Sequence, residues 1–243
     1  LLIDTVKESL IPSGYEITRE EYSLRQDGEP GTKSAHDDLF GIFEFKSERM
    51  EMSNVAAIRN SGTMNFLAQI GCGERVFVCD NLCFSAQIIV GRKHTKHIER
   101  DLPILAGKAI TKLSEHFKFA EKRVDVYKES ELSRTEVHDV MMRSMSMRKG
   151  GCPASQLKPW LEEFDHPRHE EFEDKTAWAL KNAFTEVAKR WSFDLVQERT
   201  GVLTGLLDQA VDLPNRIEAL LGGSFSHAEG EIVETDSEIA LGA

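Results

Sequence analysis

The strongest constraint on the fold is a long helical repeat of apolar residues in the middle of the chain. Its members recur at steps of three and four residues: Leu102, Leu105, Ala109, Leu113, Phe117, Ala120, Val124 and Tyr127. This spacing places them on one side of an α-helix. The opposite side carries Lys108, Lys112, Lys118 and Lys122, with Glu115 among them. The sequence therefore predicts one long amphipathic helix with a buried stripe and a basic outer side.

Strand signals precede this helix. Residues 39–46 (LFGIFEFK) are rich in aromatic and branched side chains, and residues 54–59 and 86–90 are further candidates. We expect a turn at Gly71-Cys72-Gly73, followed by a continuous strand over residues 75–83. Residues 1–10 have a short helical pattern, residues 15–24 fit a strand or a helical turn, and residues 25–38 are expected to form a long loop.

Helical signals dominate after the long helix. Ser133 and Glu136 form an S-x-x-E capping box ahead of a second helix. Asp174 is expected to cap a third helix, and residues 202–211 to form a last short helix that Pro214 stops. Residues 224–243 contain five acidic residues and no Lys or Arg, which predicts a solvated tail that folding does not need.

These signals together predict an α+β fold: a small, mainly antiparallel sheet covered by helices, with a helical C-terminal half. The predicted domains are an α+β domain with the strand pair and the basic helix over residues 1–128, a helical region packed on it over 129–220, and an acidic flexible tail over 221–243.

Composition indicates a protein of a reducing compartment. Three of the four cysteines fall within residues 72–83, in an apolar stretch, which suits buried thiols better than a disulfide scaffold. The chain has no secretory signal pattern at its first residue and no apolar run of the roughly 18–20 residues that cross a bilayer. We therefore expect a cytoplasmic protein without a membrane partner.

The charge distribution points to one local basic surface. The net charge is −11, yet residues 92–123 contain nine Lys or Arg against four Asp or Glu. Because local cations that release counterions govern phosphate affinity, an acidic protein can still bind DNA through one basic side. A helix with ordinary solvated lysines is the alternative. The predicted nucleic-acid-binding residues are Arg92, Lys93, His94, Lys96, Arg100, Lys108 and Lys112.

No motif predicts catalysis, a cofactor or a metal. The chain lacks a phosphate-binding lysine loop, a dinucleotide fingerprint, H-E-x-x-H and G-x-S-x-G. Cys79 and Cys83 with His94 and His97 have the residue types of a zinc site, but the wrong spacing. The stretch 166–171 (HPRHEE) is dense in titratable groups, and solvated surface is its simpler interpretation. We expect a non-enzymatic protein.

Three stretches resemble a phage/plasmid-like family catalogued as domain of unknown function 932. Ile58-Arg59-Asn60-Ser61 is similar to the family's R-N-S-H-D, although Gly62-Thr63 replace the His-Asp pair. Cys79-Asp80-Asn81-Leu82, running on to Arg92-Lys93-His94-Thr95, is the most specific match, and residues 182–186 (NAFTE) resemble its N-A-x-T-E segment. The matching positions include Asn60, Ser61, Cys79, Asp80, Asn81, Asn182 and Glu186, and the resemblance spans residues 39–191.

The family occurs in prophages, plasmids and phages, which implies DNA handling by mobile elements. The leading hypothesis is a DNA-binding protein that favours single strands, acts in recombination or replication by binding or annealing, and forms a homo-oligomer. The alternative is a phage or plasmid interaction protein that modulates or evades a host defence or DNA-processing enzyme through a phage or host protein partner. Its support is the acidic overall charge and tail. We also expect at least two of Asn60, Asn81 and Asn182 to satisfy buried backbone groups.

Overall fold

The computed structural model describes residues 2–27, 36–46, 52–61, 68–76, 81–92, 98–191 and 193–221. It is an α+β fold with an antiparallel sheet in the N-terminal half and a helical C-terminal half, as predicted. The strands are β1 (Ile17–Asp27), β2 (His36–Phe45), β3 (Met52–Ser61), β4 (Ala68–Val76) and β5 (Asn81–Arg92). They lie in the sheet in chain order, and each pairs antiparallel with the next.

The helices surround this sheet and continue beyond it. Their bounds are α1 (Leu2–Leu10), α2 (Ile98–Glu129), α3 (Arg134–Ser146), α4 (Ala154–Asp165), α5 (Ala177–Ala188), α6 (Phe193–Ala210) and α7 (Leu213–Leu221), with short 3-10 turns at Ile11–Ser13 and Glu170–Phe172. Among the described helices, none is both long and apolar enough to cross a membrane.

One face of the sheet and two helices enclose the first hydrophobic core. Phe43, Ala56 and Cys72 stand in register on β2, β3 and β4, and all three are buried. α1 and the first half of α2 cover this face with Leu2, Val6, Leu10, Leu102, Ala106, Ala109, Ile110, Leu113 and Phe117. The predicted long helix is confirmed: every described side chain of its apolar stripe is buried.

Glycine at position 41 allows a close approach on the same face. Gly41 lies in β2 between Tyr22 of β1 and Ile58 of β3. A Cβ there would lie 2.8 Å from Ile58 Cγ1 and 2.9 Å from Tyr22 Cδ1. A larger residue would therefore force the two neighbouring side chains apart.

The predicted turn at residues 71–73 is wrong, because Gly71, Cys72 and Gly73 lie inside β4. The register between β4 and β5 shifts on either side of Gly71, so the two glycines accommodate an irregular ladder rather than a reversal. The predicted continuous strand over 75–83 is also wrong: Val76 ends β4 and pairs antiparallel with Asn81, the first residue of β5, so the two belong to different strands.

The predicted loop over residues 25–38 is too long at both ends. Arg25 of β1 pairs with Asp38 of β2, and the ladder continues to Asp27 and His36. Backbone pairing with the neighbouring strand overrides the low strand propensity of these polar residues. Residues 28–35 lie outside the described part of the chain.

Two helix boundaries in the C-terminal half differ from the predictions. Thr176, not Asp174, caps α5, because its side chain accepts a hydrogen bond from the Ala179 N–H at 3.2 Å. The last predicted helix, residues 202–211, is the second half of α6, which begins earlier at Phe193. The helix α7 follows it and was not predicted; Pro214 stands in its first turn, where a missing N–H costs nothing. α4 has no counterpart among the predictions. The Ser133–Glu136 capping box of α3 is confirmed, with both hydrogen bonds present.

A second hydrophobic core joins the C-terminal helices to the end of α2. Trp160 of α4 is fully buried, its ring lies 4.8 Å from that of Phe184 of α5, and its N–H donates to the Leu180 carbonyl at 3.0 Å. The connection between α3 and α4 is equally tight. Gly150 has a φ of +69°, and a Cβ there would lie 2.6 Å from Val202 of α6.

Candidate nucleic-acid interface

The side of α2 that faces away from the core carries a row of cations. We define the basic side of α2 as Arg100, Lys108, Lys112, Lys118 and Lys122. Four of the five are exposed and Lys112 is half-buried. At 3.6 residues per turn they fall within an arc of about 120°, and at 1.5 Å per residue they extend over roughly 33 Å of the helix. The exposed carboxylate of Glu115 lies within the same arc and lowers its net positive charge. The predicted nucleic-acid-binding residues include the first three, and the last two belong to the basic outer side that the helical pattern predicted.

Anchoring of α2 fixes the direction of this row. The buried stripe packs on the sheet at one end of the helix and in the second core at the other. Rotation that moved the cations would expose that stripe, and burying one large apolar side chain contributes about 1.5–3 kcal/mol. The cations therefore form a preoriented surface.

Arg123 counts toward the basic segment in the sequence but does not belong to this surface. It is only 4% exposed, and its Nε and Nη2 lie 3.0 and 3.2 Å from the two carboxylate oxygens of Asp208 on α6. The Tyr127 hydroxyl donates to the same carboxylate at 2.6 Å. Arg123 thus joins α2 to α6 instead of meeting solvent.

His116 adds no positive charge at neutral pH. Burial first, and the neighbouring charge of Lys112 second, lower the pKa of this imidazole below its ordinary 6.5. A lowered pKa means that the neutral form predominates at pH 7. The charge of the basic side at neutral pH comes from its lysines and arginine.

The loop that leads into α2 lies mostly outside the described residues. Arg92 is the last residue of β5, so its backbone is placed, whereas Lys93, His94 and Lys96 are not described. Their contribution to a nucleic-acid site stays a prediction. The alternative zinc ligands Cys79, Cys83, His94 and His97 likewise have no described side chains.

The residues that match the family motifs occupy three separate elements. Asn60 and Ser61 end β3, where Asn60 is half-buried and Ser61 is fully buried. Asn81 begins β5, and Cys79 and Asp80 lie outside the described residues. Asn182 and Glu186 lie on α5.

Of the three asparagines, Asn182 shows the expected behaviour. It is buried, and its side-chain amide donates to the Trp178 carbonyl at 2.9 Å. No side-chain geometry is described for Asn81. The expectation that at least two of the three bond to buried backbone groups stays a prediction.

The titratable stretch 166–171 forms an ion-pair junction. A small cleft lies between α4 and α5, and Glu163, His169 and Glu186 contribute to its lining. Arg168 bridges the two carboxylates, with its Nε 3.1 Å from Glu163 and its Nη1 2.8 Å from Glu186. Within the described part of the chain, no three His, Cys, Asp or Glu residues are grouped to hold a metal ion.

A buried charge cluster between the sheet and the helices was missed in the sequence. Lys181 of α5 is 1% exposed and its Nζ contacts the carboxylate of Glu74 of β4, which is fully buried. The same ammonium lies 5.6 Å from the Tyr127 ring and 5.5 Å from the Trp178 ring. A lysine inside the apolar run 177–184 (AWALKNAF) was the available signal. This cluster holds elements together and has no described opening to solvent.

No protein-family model, curated protein or solved structure matches the chain. A functional assignment therefore depends on the chain's own residues.

Proposed function

We propose that this protein binds DNA without acting on it chemically, and that the basic side of α2 is the binding surface. The observation that carries the proposal is the alignment of five cations on one preoriented helix. Their span of roughly 33 Å corresponds to about ten nucleotides at the 3.4 Å rise of a B-form strand. Lys118 and Lys122 extend the surface beyond the residues predicted to bind nucleic acid.

The acidic remainder of the molecule restricts binding to this side. The chain carries a net charge of −11 in spite of the basic segment, so phosphates are repelled from most other surfaces. Five phosphate contacts would give a salt dependence of about −3.5 in log K against log salt for single strands, and about −4.5 for duplex.

An exposed apolar residue within the row favours single strands. Ile104 is 60% exposed and lies one turn from both Arg100 and Lys108. Bases of a single strand are free to contact such a side chain, whereas the bases of a duplex remain stacked inside it. A role in single-strand binding or annealing also suits the mobile-element setting of the family that the chain resembles, and that membership remains a prediction.

The test is fluorescence anisotropy with labelled single- and double-stranded oligonucleotides at low salt. We expect the parent protein to bind, with the single strand preferred. The variant K108A/K118A/K122A should bind at least tenfold more weakly at unchanged melting temperature, because all three lysines are exposed.

A matched control removes the same charge elsewhere. Lys149, Lys158 and Lys189 are exposed cations of the C-terminal helical half. Their triple alanine variant should bind like the parent protein within about twofold. Equal loss in the two triple variants would mean that net charge alone governs binding. Absence of binding by the parent chain would overturn the proposal and favour the protein-interaction alternative.

A further inference from the structure

β1 is an unusually long edge strand of the described sheet. β1 has eleven residues and is the first strand in the order β1-β2-β3-β4-β5, so the described sheet provides no neighbour on its other side. Residues 19–27 pair with β2 without a break in register. Exposed edges of this kind pair readily with another strand, and proteins usually block them with charged side chains, proline, bulges or short length. The regular part of β1 has no proline and no bulge, so its charged residues are what selects among possible partner strands.

The exposed residues of this edge include large apolar side chains. Tyr22 is 43% exposed and Leu24 is 62% exposed, and they share one face of the strand. Tyr22 remains in place through an edge-on contact with Phe43 and a hydrogen bond of 2.8 Å to Glu20. The two form an exposed apolar pair on an otherwise charged edge.

Symmetry limits how two copies of β1 could pair. In an antiparallel ladder, opposed residues both direct their N–H and C=O groups toward the partner, or both direct them away. The N–H and C=O groups of successive residues point to alternate edges of a strand. When a strand pairs with its own copy, each even-numbered residue must therefore lie opposite an even-numbered residue, and each odd-numbered residue opposite an odd-numbered one. Only a few registers near the middle of β1 satisfy this condition.

Three of these registers place like charges opposite each other. In a ladder centred on Glu21, the Glu21 residues of the two copies lie opposite each other. Centring on Tyr22 opposes Arg19 to Arg25, and centring on Leu24 opposes Glu21 to Asp27. Like charges directly opposite one another destabilise a sheet.

The register centred on Ser23 opposes no like charges, and Glu20 faces the neutral Gln26. It opposes Arg19 to Asp27, Glu21 to Arg25 and Tyr22 to Leu24, with Ser23 opposite its own copy. Two-fold symmetry doubles each of these pairs. The ladder would then contain four opposite-charge pairs and two apolar pairs, each of which contributes roughly 0.2–1 kcal/mol.

We propose that the outer edge of β1 is a homodimer interface, formed by antiparallel pairing of two copies centred on Ser23. The product is a continuous sheet of the strands of both copies. The two-fold axis of such a ladder is perpendicular to the sheet, so the two α2 helices lie on the same side of it. This interface goes beyond the DNA-binding proposal and does not depend on it.

The first test measures the register with single cysteines in the full chain. Opposed Cα atoms of an antiparallel pair lie about 4.5–5.5 Å apart, within disulfide range. Under mild oxidation, S23C should form a covalent dimer. L24C is the matched control: Leu24 is more than half exposed, but in this register its two copies are diagonal, about 7–8 Å apart. L24C and the parent protein should stay uncrosslinked.

The second test exchanges charges and measures the dimer by sedimentation equilibrium. R19D and D27R should each weaken dimerisation about tenfold or more, since each creates two like-charge pairs. The double variant R19D/D27R should restore it. Arg19 and Asp27 are eight positions, roughly 27 Å, apart along one strand and too far apart to contact each other within one copy, so rescue reports contact between copies.

The outcomes are distinct. A parent chain that is monomeric at micromolar concentrations overturns the proposal. So does a dimer that S23C fails to crosslink and that the charge variants leave intact, because it must use another surface. Neither test contains DNA, so a failure here leaves the proposed binding function to its own experiment.

Discussion

Replacing Lys181 should destabilise the protein more than almost any other single change. Its ammonium and the Glu74 carboxylate form a buried pair between α5 and β4, and both side chains are at most 1% exposed. In K181M the methionine fills much of the space, but the Glu74 carboxylate stays buried without its cation. One of its oxygens, Oε2, has no hydrogen-bond partner among the described residues even with the lysine present.

The expected cost follows from this geometry. Removing one partner of a buried ion pair typically costs about 3–5 kcal/mol, and the loss of two ring contacts to the ammonium adds to it. Domains of this size are stable by about 5–15 kcal/mol, so K181M should lose a large fraction of the total. At about 2–4 °C per kcal/mol, the melting temperature should fall by roughly 10 °C.

The measurement is urea unfolding followed by fluorescence of Trp160, Trp178 and Trp191. The double variant E74M/K181M is the informative companion, because replacing both partners by apolar residues is often neutral or stabilising. We expect it to recover most of the stability that K181M loses. The reasoning is refuted if K181M costs less than about 1 kcal/mol, or if the double variant is no more stable than K181M.

Three further predictions concern separate features. S133A should destabilise the protein by about 1 kcal/mol in urea unfolding, because the capping box of α3 loses its side-chain acceptor; an unchanged midpoint would contradict this role. Burial raises the pKa of Cys152 to about 11, so its alkylation at pH 8, measured by mass spectrometry, should be about a hundredfold slower than that of an unperturbed thiol. A rate equal to that of the unfolded chain would refute this. R92A/K93A should weaken DNA binding at unchanged melting temperature, and equal binding by this variant would exclude the loop before α2 from the interface.

Local patterns predicted the elements whose side chains follow one clear period. The α2 stripe, the β2 segment and the Ser133–Glu136 box each follow a single rule, and the structure confirms all three. The basic side of α2 follows from the same helix period, since residues opposite a buried stripe are exposed.

Long-range pairing explains what the sequence did not reveal. Gly71 and Gly73 have the composition of a turn, yet β3 and β5 on either side hold them in a strand. Thr176 caps α5 in place of Asp174. The next residue, Ala177, donates its main-chain N–H to the Ser130 carbonyl at 2.9 Å, so a contact with a distant part of the chain fixes where this helix begins. The Lys181–Glu74 pair joins residues 107 positions apart, and no local pattern encodes such a contact.

The salt dependence of DNA binding tests the central claim most directly. Association constants for a labelled single strand, measured across a series of salt concentrations, should give a log–log slope near −3.5 for the parent chain if five phosphates are contacted. Removing Lys108, Lys118 and Lys122 should flatten the slope by about two units, at roughly 0.7 per contact. A slope that is the same in the parent and the variant would contradict the account, because it would show that the basic side of α2 contacts no phosphates.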